Sequence, residues 1–194
     1  MVLPRRWPAW LMVLLLLGGG SCRAAVAQLA DLEVCVITPR TRLSGEGQAT
    51  AEAVLPRPTL LMAGPLQELR ILSAGRLLWQ QRAAAGRVLV GPFSWPLPPM
   101  TGGEHYTLLV QPPGAPDNTF ARIDLRAASA AQLRTNQQRL QRLGSDPAAW
   151  LLAIDSALAA GQVTWAWALL YAPQDPRSPD LDALRREVYQ RGCG

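Results

Sequence analysis

The sequence predicts an α+β fold in which an antiparallel β-sandwich is followed by α-helices. Between positions 57 and 111, short apolar runs recur and each ends at Gly or Pro, which is the spacing of strands in an all-β sandwich. From Ser129 onward the apolar residues recur every three or four positions, which is the period of an amphipathic helix. The chain has 194 residues, of which 49% are hydrophobic, so it is long enough to bury a core.

The first 27 residues are typical of a secretory signal peptide. Arg5 and Arg6 give a positively charged start, residues 10–17 form a short apolar stretch, and positions 25–27 supply a small-residue cleavage site. We therefore expect a mature chain that begins at Gln28 and lies in the periplasm or outside the cell.

Two alternatives to cleavage after position 27 stay open. The sequence Gly20-Ser21-Cys22 resembles the end of a lipoprotein signal, in which Cys22 would carry the lipid, although Gly19 stands where such signals have Leu or a similar residue. The leader could also stay uncleaved as a membrane anchor. We expect contact with a membrane only through this leader or through a lipid on Cys22.

Removal of the leader takes Cys22 with it and leaves two cysteines, Cys35 and Cys193. An even number of cysteines in an oxidising compartment favours a disulfide, which here would join the first strand to the extreme C-terminus. The alternative is two separate buried thiols.

The net charge gives no indication of a nucleic-acid partner. The chain has a formal net charge of +5, and all 19 basic residues are arginine. Arg5, Arg6 and Arg23 lie in the leader, so the mature chain carries sixteen arginines against 14 acidic residues. An excess of this size, scattered along the chain, is too weak to neutralise a phosphate backbone.

The strands are predicted by alternation and by the Gly and Pro residues between them. Residues 38–50 form a polar loop, and Pro56 and Pro58 exclude a central strand at that point. Ser73-Ala74-Gly75 is expected to be a hairpin turn. The strands that we expect are 32–37, 51–55, 66–72, 77–79, 106–110 and 118–125.

The order of these segments resembles a bacterial immunoglobulin or fibronectin type III-like domain over residues 50–126. The resemblance is carried by Pro58-Thr59-Leu60, by the alternating strand at 66–72, by Gly75 before Leu77-Leu78-Trp79, and by Pro-Leu-Pro-Pro and Gly-Gly-x-x-Tyr within 96–106. It implies that Tyr106 is the corner tyrosine of that fold, whose hydroxyl bonds to backbone a few residues upstream. Trp79 departs from the resemblance, because it comes one hairpin later than the expected core tryptophan.

Four helices are predicted after the strands. Ser129 is the expected N-cap of a helix that ends at Leu143, and Asp146 that of a helix with Pro147 in its first turn. A third helix spans 163–172, and a fourth begins at 178–180 and ends at 192. The predicted apolar stripe of the second helix includes residues 150, 151, 154 and 158, and the fourth helix is expected to contain ion pairs 182–186 and 187–191.

Residues 147–191 resemble a degenerate tetratricopeptide-type helical hairpin, with Gly161, Ala166 and Pro173 near the positions of that repeat's small residues and closing proline. Fewer than three such repeats are not stable alone, so the helices are expected to pack on the sandwich. The whole order also resembles secreted cyanobacterial families of unknown function, which implies a fold and a location but no activity. The predicted organisation is a signal peptide at 1–27, an immunoglobulin-like sandwich at 28–126 and a helical region at 127–194.

Trp165 and Leu169 are the candidate partner-binding residues. The segment 163–171 is apolar nearly all round, which indicates a helix covered on more than one side. Residues two apart on a helix point roughly 200° from each other, so Trp165 and Trp167 lie on different faces. We assign Trp167 to packing between helices. Trp165, with Leu169 beside it, either docks on the sandwich or is exposed for a partner.

The sequence lacks the common catalytic patterns. His105 is the one histidine, no Gly-x-Ser-x-Gly is present, and the absence of lysine excludes a phosphate-binding loop that ends in Lys-Ser or Lys-Thr. Paired carboxylates, Asp31 with Glu33 or Asp180 with Asp182, are the remaining enzymatic option.

We therefore expect an exported, non-enzymatic accessory or interaction protein without catalytic residues, cofactor or metal, whose partner is another envelope protein. The alternative is an envelope hydrolase that uses a carboxylate pair such as Asp31 and Glu33. Arg134, Arg139 and Arg142 cluster on the first predicted helix, where they form either a solvated face or a patch for an anionic partner.

Overall fold

The computed structural model describes residues 34–43 and 48–192. These residues form nine strands and four helices, so the α+β class is confirmed. The predictions for the leader, Cys22, Asp31, Glu33 and Cys193 fall outside the described residues. In the part of the chain that is described, no helix has the length and hydrophobicity needed to cross a membrane.

The nine strands divide into a three-stranded and a six-stranded sheet. The strands are β1 (Cys35–Thr38), β2 (Thr41–Leu43), β3 (Ala49–Ala53), β4 (Thr59–Ala63), β5 (Glu68–Ser73), β6 (Arg76–Arg82), β7 (Phe93–Ser94), β8 (His105–Gln111) and β9 (Ala121–Ala127). The smaller sheet has the order β1-β4-β7, and the larger has the order β2-β3-β9-β8-β5-β6. Neighbouring strands are antiparallel except β3 and β9, which run parallel.

One apolar core contains side chains from both sheets. Alternate residues of β9 are buried, as expected for a strand with one face on a core. Leu60 of β4, Leu69 and Ile71 of β5, and Ile123 of β9 are almost completely inaccessible to solvent and belong to the same cluster. We call this cluster the sheet core.

The hairpin turn predicted at Ser73-Ala74-Gly75 joins β5 to β6. Ser73 pairs with Arg76, and the two residues between them have positive φ values, 47° for Ala74 and 76° for Gly75. Two consecutive positive φ values define the two-residue turn whose twist matches antiparallel strands. The hairpin leaves β6 at one edge of the six-stranded sheet, with nearly all of its residues exposed.

Several strand predictions differ from the structure, and neither β4 nor β7 is among the predicted strands. The predicted loop at 38–50 contains β2, which pairs with β3 and has only three residues, too few to show an alternating pattern. The last strand begins at Ala121 rather than at 118, because Asn118 adopts a φ of 62° in the preceding turn.

The four helices are α1 (Ala130–Leu143), α2 (Pro147–Ala159), α3 (Val163–Leu170) and α4 (Pro179–Gly192). Helices α1, α2 and α4 begin after their predicted capping residues, whereas α3 has no side-chain cap and ends two residues before the predicted position 172. The Ser129 Oγ accepts a hydrogen bond from the Gln132 N–H at 3.2 Å, and the Asp146 Oδ1 accepts from the Ala148 N–H at 3.0 Å. Each bond satisfies a backbone donor that has no partner inside its helix.

A second apolar cluster, the helical core, lies between the helices. Trp150 and Leu169 are fully buried in it, and Leu55, which follows β3, joins them. The Trp150 Nε1 donates to the Gly144 carbonyl at 3.0 Å, so the buried indole keeps its polar group paired. The prediction for Leu158 is wrong, since its side chain is 40% exposed.

Arg185 of α4 forms a hydrogen bond to the end of α3. Its Nε donates to the Leu170 carbonyl at 2.9 Å, and its guanidinium forms ion pairs with Asp175 and Asp182. The partner of Asp182 is therefore Arg185, three residues away, rather than the predicted Arg186. The other predicted pair is confirmed, with 3.1 Å between Arg191 Nη2 and Glu187 Oε1.

Candidate functional site

Helix α1 lies between the two cores and exposes most of its surface. Its buried residues are Leu133, which belongs to the sheet core, Leu140, which belongs to the helical core, and Asn136 between them. The Asn136 Nδ2 donates to the Val54 carbonyl at 3.0 Å. The helix is thus fixed to the sheets by a buried hydrogen bond as well as by apolar packing.

The exposed surface of α1 is positively charged. Arg134, Arg139 and Arg142 are all exposed, and α1 contains no acidic residue. Within the described residues, none of the three forms an ion pair with a carboxylate. The arginine cluster predicted from the sequence is therefore one basic ridge with a concavity on each side.

The first concavity, which we call the apolar groove, lies between α1 and the loop that precedes β8. It has a volume of about 470 Å³ and is lined by Pro56, Pro99, Met100, Thr101, Gly102, Ala130, Leu133, Arg134, Gln137 and Gln138. The Met100 N–H donates to the Pro56 carbonyl at 2.8 Å, which joins the two proline-containing segments of its wall.

Gly102 allows the wall of the apolar groove to touch the start of α1. A Cβ atom at position 102 would lie 2.1 Å from the backbone nitrogen of Ala130, a distance that no side chain can accept. The groove therefore depends on glycine at this position for steric reasons.

Tyr106 and Glu104 hold the loop that forms this wall. The Tyr106 hydroxyl donates to Glu104 Oε2 at 3.0 Å, and the same oxygen accepts from the Thr101 N–H at 2.7 Å. The prediction that Tyr106 bonds directly to upstream backbone is therefore wrong, because the Glu104 carboxylate stands between the two. The Tyr106 ring also packs edge-to-face on Trp95, with 5.1 Å between centroids.

The two groups of this network have displaced pKa values. Burial, together with the hydrogen bond to the Glu104 carboxylate, raises the pKa of Tyr106 to about 12. The Thr101 N–H lowers the pKa of Glu104, and its effect outweighs that of burial. A charged Glu104 and a neutral Tyr106 thus stabilise the loop across the neutral pH range.

The second concavity, which we call the polar cleft, lies on the other side of α1. It has a volume of about 600 Å³ and is lined by Arg42, Glu52, Val54, Ser129, Ala131, Gln132, Thr135, Asn136, Arg139, Gly161, Gln162, Val163, Thr164 and Trp165. Its walls come from β2 and β3, from α1, and from the start of α3. The cleft thus gathers residues that are more than a hundred positions apart in the sequence.

The two candidate partner-binding residues have different environments. Trp165 is half-buried, packs against both the sheet core and the helical core, and lines the polar cleft. This contact agrees with the docked orientation proposed for Trp165. Leu169 is fully buried in the helical core, so its side chain cannot contact a partner in this conformation, and we correct that assignment.

Glu68 is a fully buried carboxylate with two arginine partners. It accepts hydrogen bonds from Arg70 and from the Arg82 Nε, the latter at 2.6 Å. Burial by itself would raise the pKa of Glu68, but the hydrogen bonds and charges of the two arginines lower it below the ordinary value of 4.5. Glu68 is therefore ionised and hydrogen-bonded to both arginines, so we assign it a role in stability rather than in chemistry.

The remaining candidates for chemistry are not brought into either concavity. His105 is exposed, and its carbonyl accepts from the Ser73 hydroxyl. Asp182 accepts from Arg185 at 2.6 Å, and Asp180 is exposed in the first turn of α4. Within the described residues, no group of three or more His, Cys, Asp or Glu side chains has the arrangement of a metal site.

Sequence reasoning found the arginines of α1 but missed both concavities. Met100 and Gly102 carry no signal beyond a turn, and Arg42 and Glu52 lie in or beside strands too short to show a pattern. The one available signal was α1 itself, because a helix with few apolar residues and no acids indicates a large solvent-facing surface.

Comparisons with known proteins provide no functional assignment. Neither a protein-family model nor a curated protein sequence matches the chain. Among solved structures, the fibronectin(III)-like modules of Clostridium thermocellum CbhA are similar to 47% of this chain and 99% of that chain, with 11% sequence identity and a TM-score of 0.26. A likeness of that degree carries no argument about this chain.

Proposed function

We propose that the chain is an exported accessory protein of the cell envelope that binds another protein and catalyses no reaction. The observation that carries the proposal is the apolar groove beside α1. Protein-binding surfaces commonly combine a desolvated apolar centre with a polar rim, and here Pro56, Pro99 and Ala130 supply the accessible apolar centre while Arg134, Gln137 and Gln138 supply the rim.

The charge of α1 suggests the chemistry of the partner. Arg134 lies at the groove, on a helix that contains no acidic residue. A partner segment with an apolar side chain for the groove and acidic residues beside it would complement this surface. We therefore propose an acidic, partly apolar segment of another envelope protein as the occupant.

Site-specific photocrosslinking tests this proposal. A photoreactive residue at Gln137, which lines the groove, is compared with one at Gln141, which is exposed on α1 but lines neither concavity. We expect mature protein incubated with envelope extract to form one discrete adduct from position 137. Arg134→Glu should remove that adduct and Arg142→Glu should retain it.

Two results of the crosslinking experiment would contradict protein binding at the groove. The first is equal crosslinking from positions 137 and 141, since that would indicate non-selective adhesion to the basic helix. The second is an adduct at 137 that survives Arg134→Glu, since the groove would then lack the charge selectivity that defines the proposed partner.

The strand order supports an immunoglobulin-like sandwich as the finer description of the β region. If β1, β4 and β7 are strands A, B and E, then β6, β5, β8 and β9 take the order C′, C, F and G of the facing sheet. The helices α2 and α3 would then be the helical hairpin that packs beside it. We propose this description together with the accessory role.

A disulfide between Cys35 and Cys193 is supported by the position of α4. Cys35 pairs with Ala63 across the two strands, and the N–H of the next residue, Gly64, donates to the Tyr189 hydroxyl at 3.1 Å. Tyr189 lies four residues before Cys193 in the sequence, and the described C-terminal part of α4 lies beside the paired ends of β1 and β4.

Thiol titration tests the disulfide. We expect no free thiol in exported protein after unfolding without reductant. Reduction should lower the free energy of unfolding by roughly 4–5 kcal/mol, because the disulfide closes a long loop. Two thiols that titrate under those conditions would contradict it and favour the alternative of separate cysteines.

Export itself is tested by the intact mass of native material. The mass should correspond to a chain that begins at Gln28 without a lipid. A diacylglycerol adduct on Cys22 would contradict cleavage after position 27 and would place the protein on a membrane instead.

The alternative of an envelope hydrolase requires two carboxylates that face each other across a cleft. Glu52 is the carboxylate that the described residues bring into the polar cleft, while Glu68 and Glu104 have lowered pKa values, which do not suit a general acid. Asp31 and Glu33 lie outside the described residues, so the alternative stays a prediction.

A further inference from the structure

The polar cleft contains two arginines that face it from different walls. Arg42 is on β2 and Arg139 is on α1, and both line the cleft. Within the described residues, neither guanidinium forms an ion pair, even though Glu52 lines the same cleft. An anion in the cleft would give both guanidinium groups an acceptor for charge-assisted hydrogen bonds.

Asn136 gives the cleft a buried polar group of a different kind. The residue is only 5% exposed, and its Nδ2 is used by the hydrogen bond to the Val54 carbonyl. Its amide oxygen accepts no hydrogen bond from the described residues. Together with the Glu52 carboxylate, this oxygen provides acceptors, which favour a ligand that carries hydroxyl donors as well as a negative charge.

Trp165 adds an apolar surface to the cleft. Its indole is half-buried against both cores, so it is held in place before any ligand arrives. A rigid aromatic side chain with one side accessible offers a surface for the carbon face of a small ring. The cleft volume of about 600 Å³ lies within the range of roughly 300–1,000 Å³ that small-molecule sites have.

We propose that the polar cleft binds a small polyhydroxylated anion, a molecule of the size of a sugar that carries one carboxylate or phosphate group. Arg42 and Arg139 bind the anionic group, Glu52 and Asn136 accept from hydroxyls, and Trp165 contacts the ring. This site is separate from the apolar groove, because α1 stands between them, and it does not depend on protein binding there.

Calorimetric titration of the mature protein with three matched probes tests the proposal. D-glucuronate carries a carboxylate, D-glucose 6-phosphate carries a phosphate, and D-glucose is the neutral molecule of the same ring. We expect at least one anionic probe to bind saturably at one site, and glucose to bind at least roughly tenfold more weakly, since a charge-assisted hydrogen bond is lost. The anion that binds more tightly identifies the acidic group.

Two variants and one control locate the binding. Arg139→Gln and Arg42→Gln should each weaken the anionic probe roughly tenfold or more. Arg142→Gln removes the same charge from the same helix but lies outside the cleft, so it should change affinity by less than about twofold. Unfolding midpoints of the three variants, compared with that of the unmodified protein, report whether each is folded.

The proposal is overturned by any of three results. One is no saturable binding of either anion. Another is glucose binding as tightly as the anions, which would remove the role of the arginines. The third is an equal loss in Arg142→Gln and Arg139→Gln, which would reduce the effect to the general positive charge of α1.

Discussion

The sheet core and the helical core differ in size. The sheet core has nineteen buried residues and the helical core ten, and the helical core surrounds the fully buried indole of Trp150. A larger cluster spreads its packing over more residues, while a small cluster around one large side chain concentrates it at a single position. The helical core should therefore be more sensitive to one substitution than the sheet core.

The two cores also exchange residues. Leu133 of α1 belongs to the sheet core, Leu55 after β3 belongs to the helical core, and Trp165 packs against both. The helices alone do not complete the helical core, because Leu55 from the β region is part of it. The border predicted between residues 126 and 127 stays a prediction, and cooperativity of unfolding is the measurement that addresses it.

The largest expected effect is that of Trp150→Ala. Removal of a fully buried indole, which also leaves the Gly144 carbonyl without its donor, should cost about 4 kcal/mol. Urea unfolding monitored by circular dichroism measures this, with Leu152→Ala as a control, because Leu152 is 69% exposed on the same helix. If Ile71→Ala in the sheet core costs more than Trp150→Ala, the contrast between the cores is wrong.

Trp165→Ala tests the coupling between the cores. We expect a loss of about 3 kcal/mol in the free energy of unfolding and a separation of thermal unfolding into two transitions, because the largest of the side chains that contact both cores, Trp165 and Ala168, is removed. Trp167→Ala is the matched control, since Trp167 packs against the helical core and not against the sheet core, and only the Arg40 guanidinium, 5.7 Å from its ring, reaches it from the described β region. A single transition in Trp165→Ala would mean that other contacts keep the two cores cooperative.

Glu68→Gln tests how the sheet region tolerates a buried charge. The substitution should lower the free energy of unfolding by about 2 kcal/mol at pH 7, because Arg70 and Arg82 lose their charged partner. The folded-state pKa of Glu68 is lowered, so the carboxylate's contribution is present above the ordinary value of 4.5 and is lost as pH falls below it.

The acid limb of the stability curve measures the contribution of Glu68. The unmodified protein should lose stability more steeply below pH 4.5 than Glu68→Gln does. Glu187→Gln is the control, because its partner Arg191 is mostly exposed and the pair should contribute less than about 1 kcal/mol. Parallel acid limbs for the protein and Glu68→Gln would contradict the role of this carboxylate.

The smallest expected effect is that of Tyr106→Phe. The free energy of unfolding should fall by about 1 kcal/mol, because Glu104 still accepts the hydrogen bond from the Thr101 N–H and loses only the one from the Tyr106 hydroxyl. The raised pKa of Tyr106 means that its contribution is present below the ordinary value of 10 and is lost as pH rises toward about 12. If the loss of stability at alkaline pH is the same in Tyr106→Phe as in the unmodified protein, the hydrogen bond between Tyr106 and Glu104 does not contribute to stability.

Features that depend on neighbours in sequence could be predicted. Ser129 and Asp146 cap their helices through bonds that span two or three residues, and Gly75 readily accepts the positive φ that the turn after Ser73 requires. Tyr106 marks the limit, since the sequence predicts a hydrogen bond from its hydroxyl but not the acceptor, Glu104. Both a carboxylate and a backbone carbonyl can accept from a phenol, and sequence does not choose between them.

The concavities could not be predicted, because each is assembled from separate segments. The apolar groove joins Pro56, Met100 and Leu133, and the polar cleft joins Arg42, Arg139 and Trp165. None of these residues has a periodic or motif signal that links it to the others. Their proximity follows from the packing of α1 between the cores, which is a property of the tertiary structure alone.

The open edge at β6 affects how the protein behaves at high concentration. Among the described residues the outer edge of β6 has no partner strand, and this edge, with Leu77 and Leu78 48% and 36% accessible, is a template on which a second copy could extend the sheet. Arg76 and Arg82 stand at the two ends of this strand and place positive charge where another β6 would align. The Arg82 guanidinium therefore has two effects: it bonds to Glu68, and its charge opposes self-association of the protein through this edge.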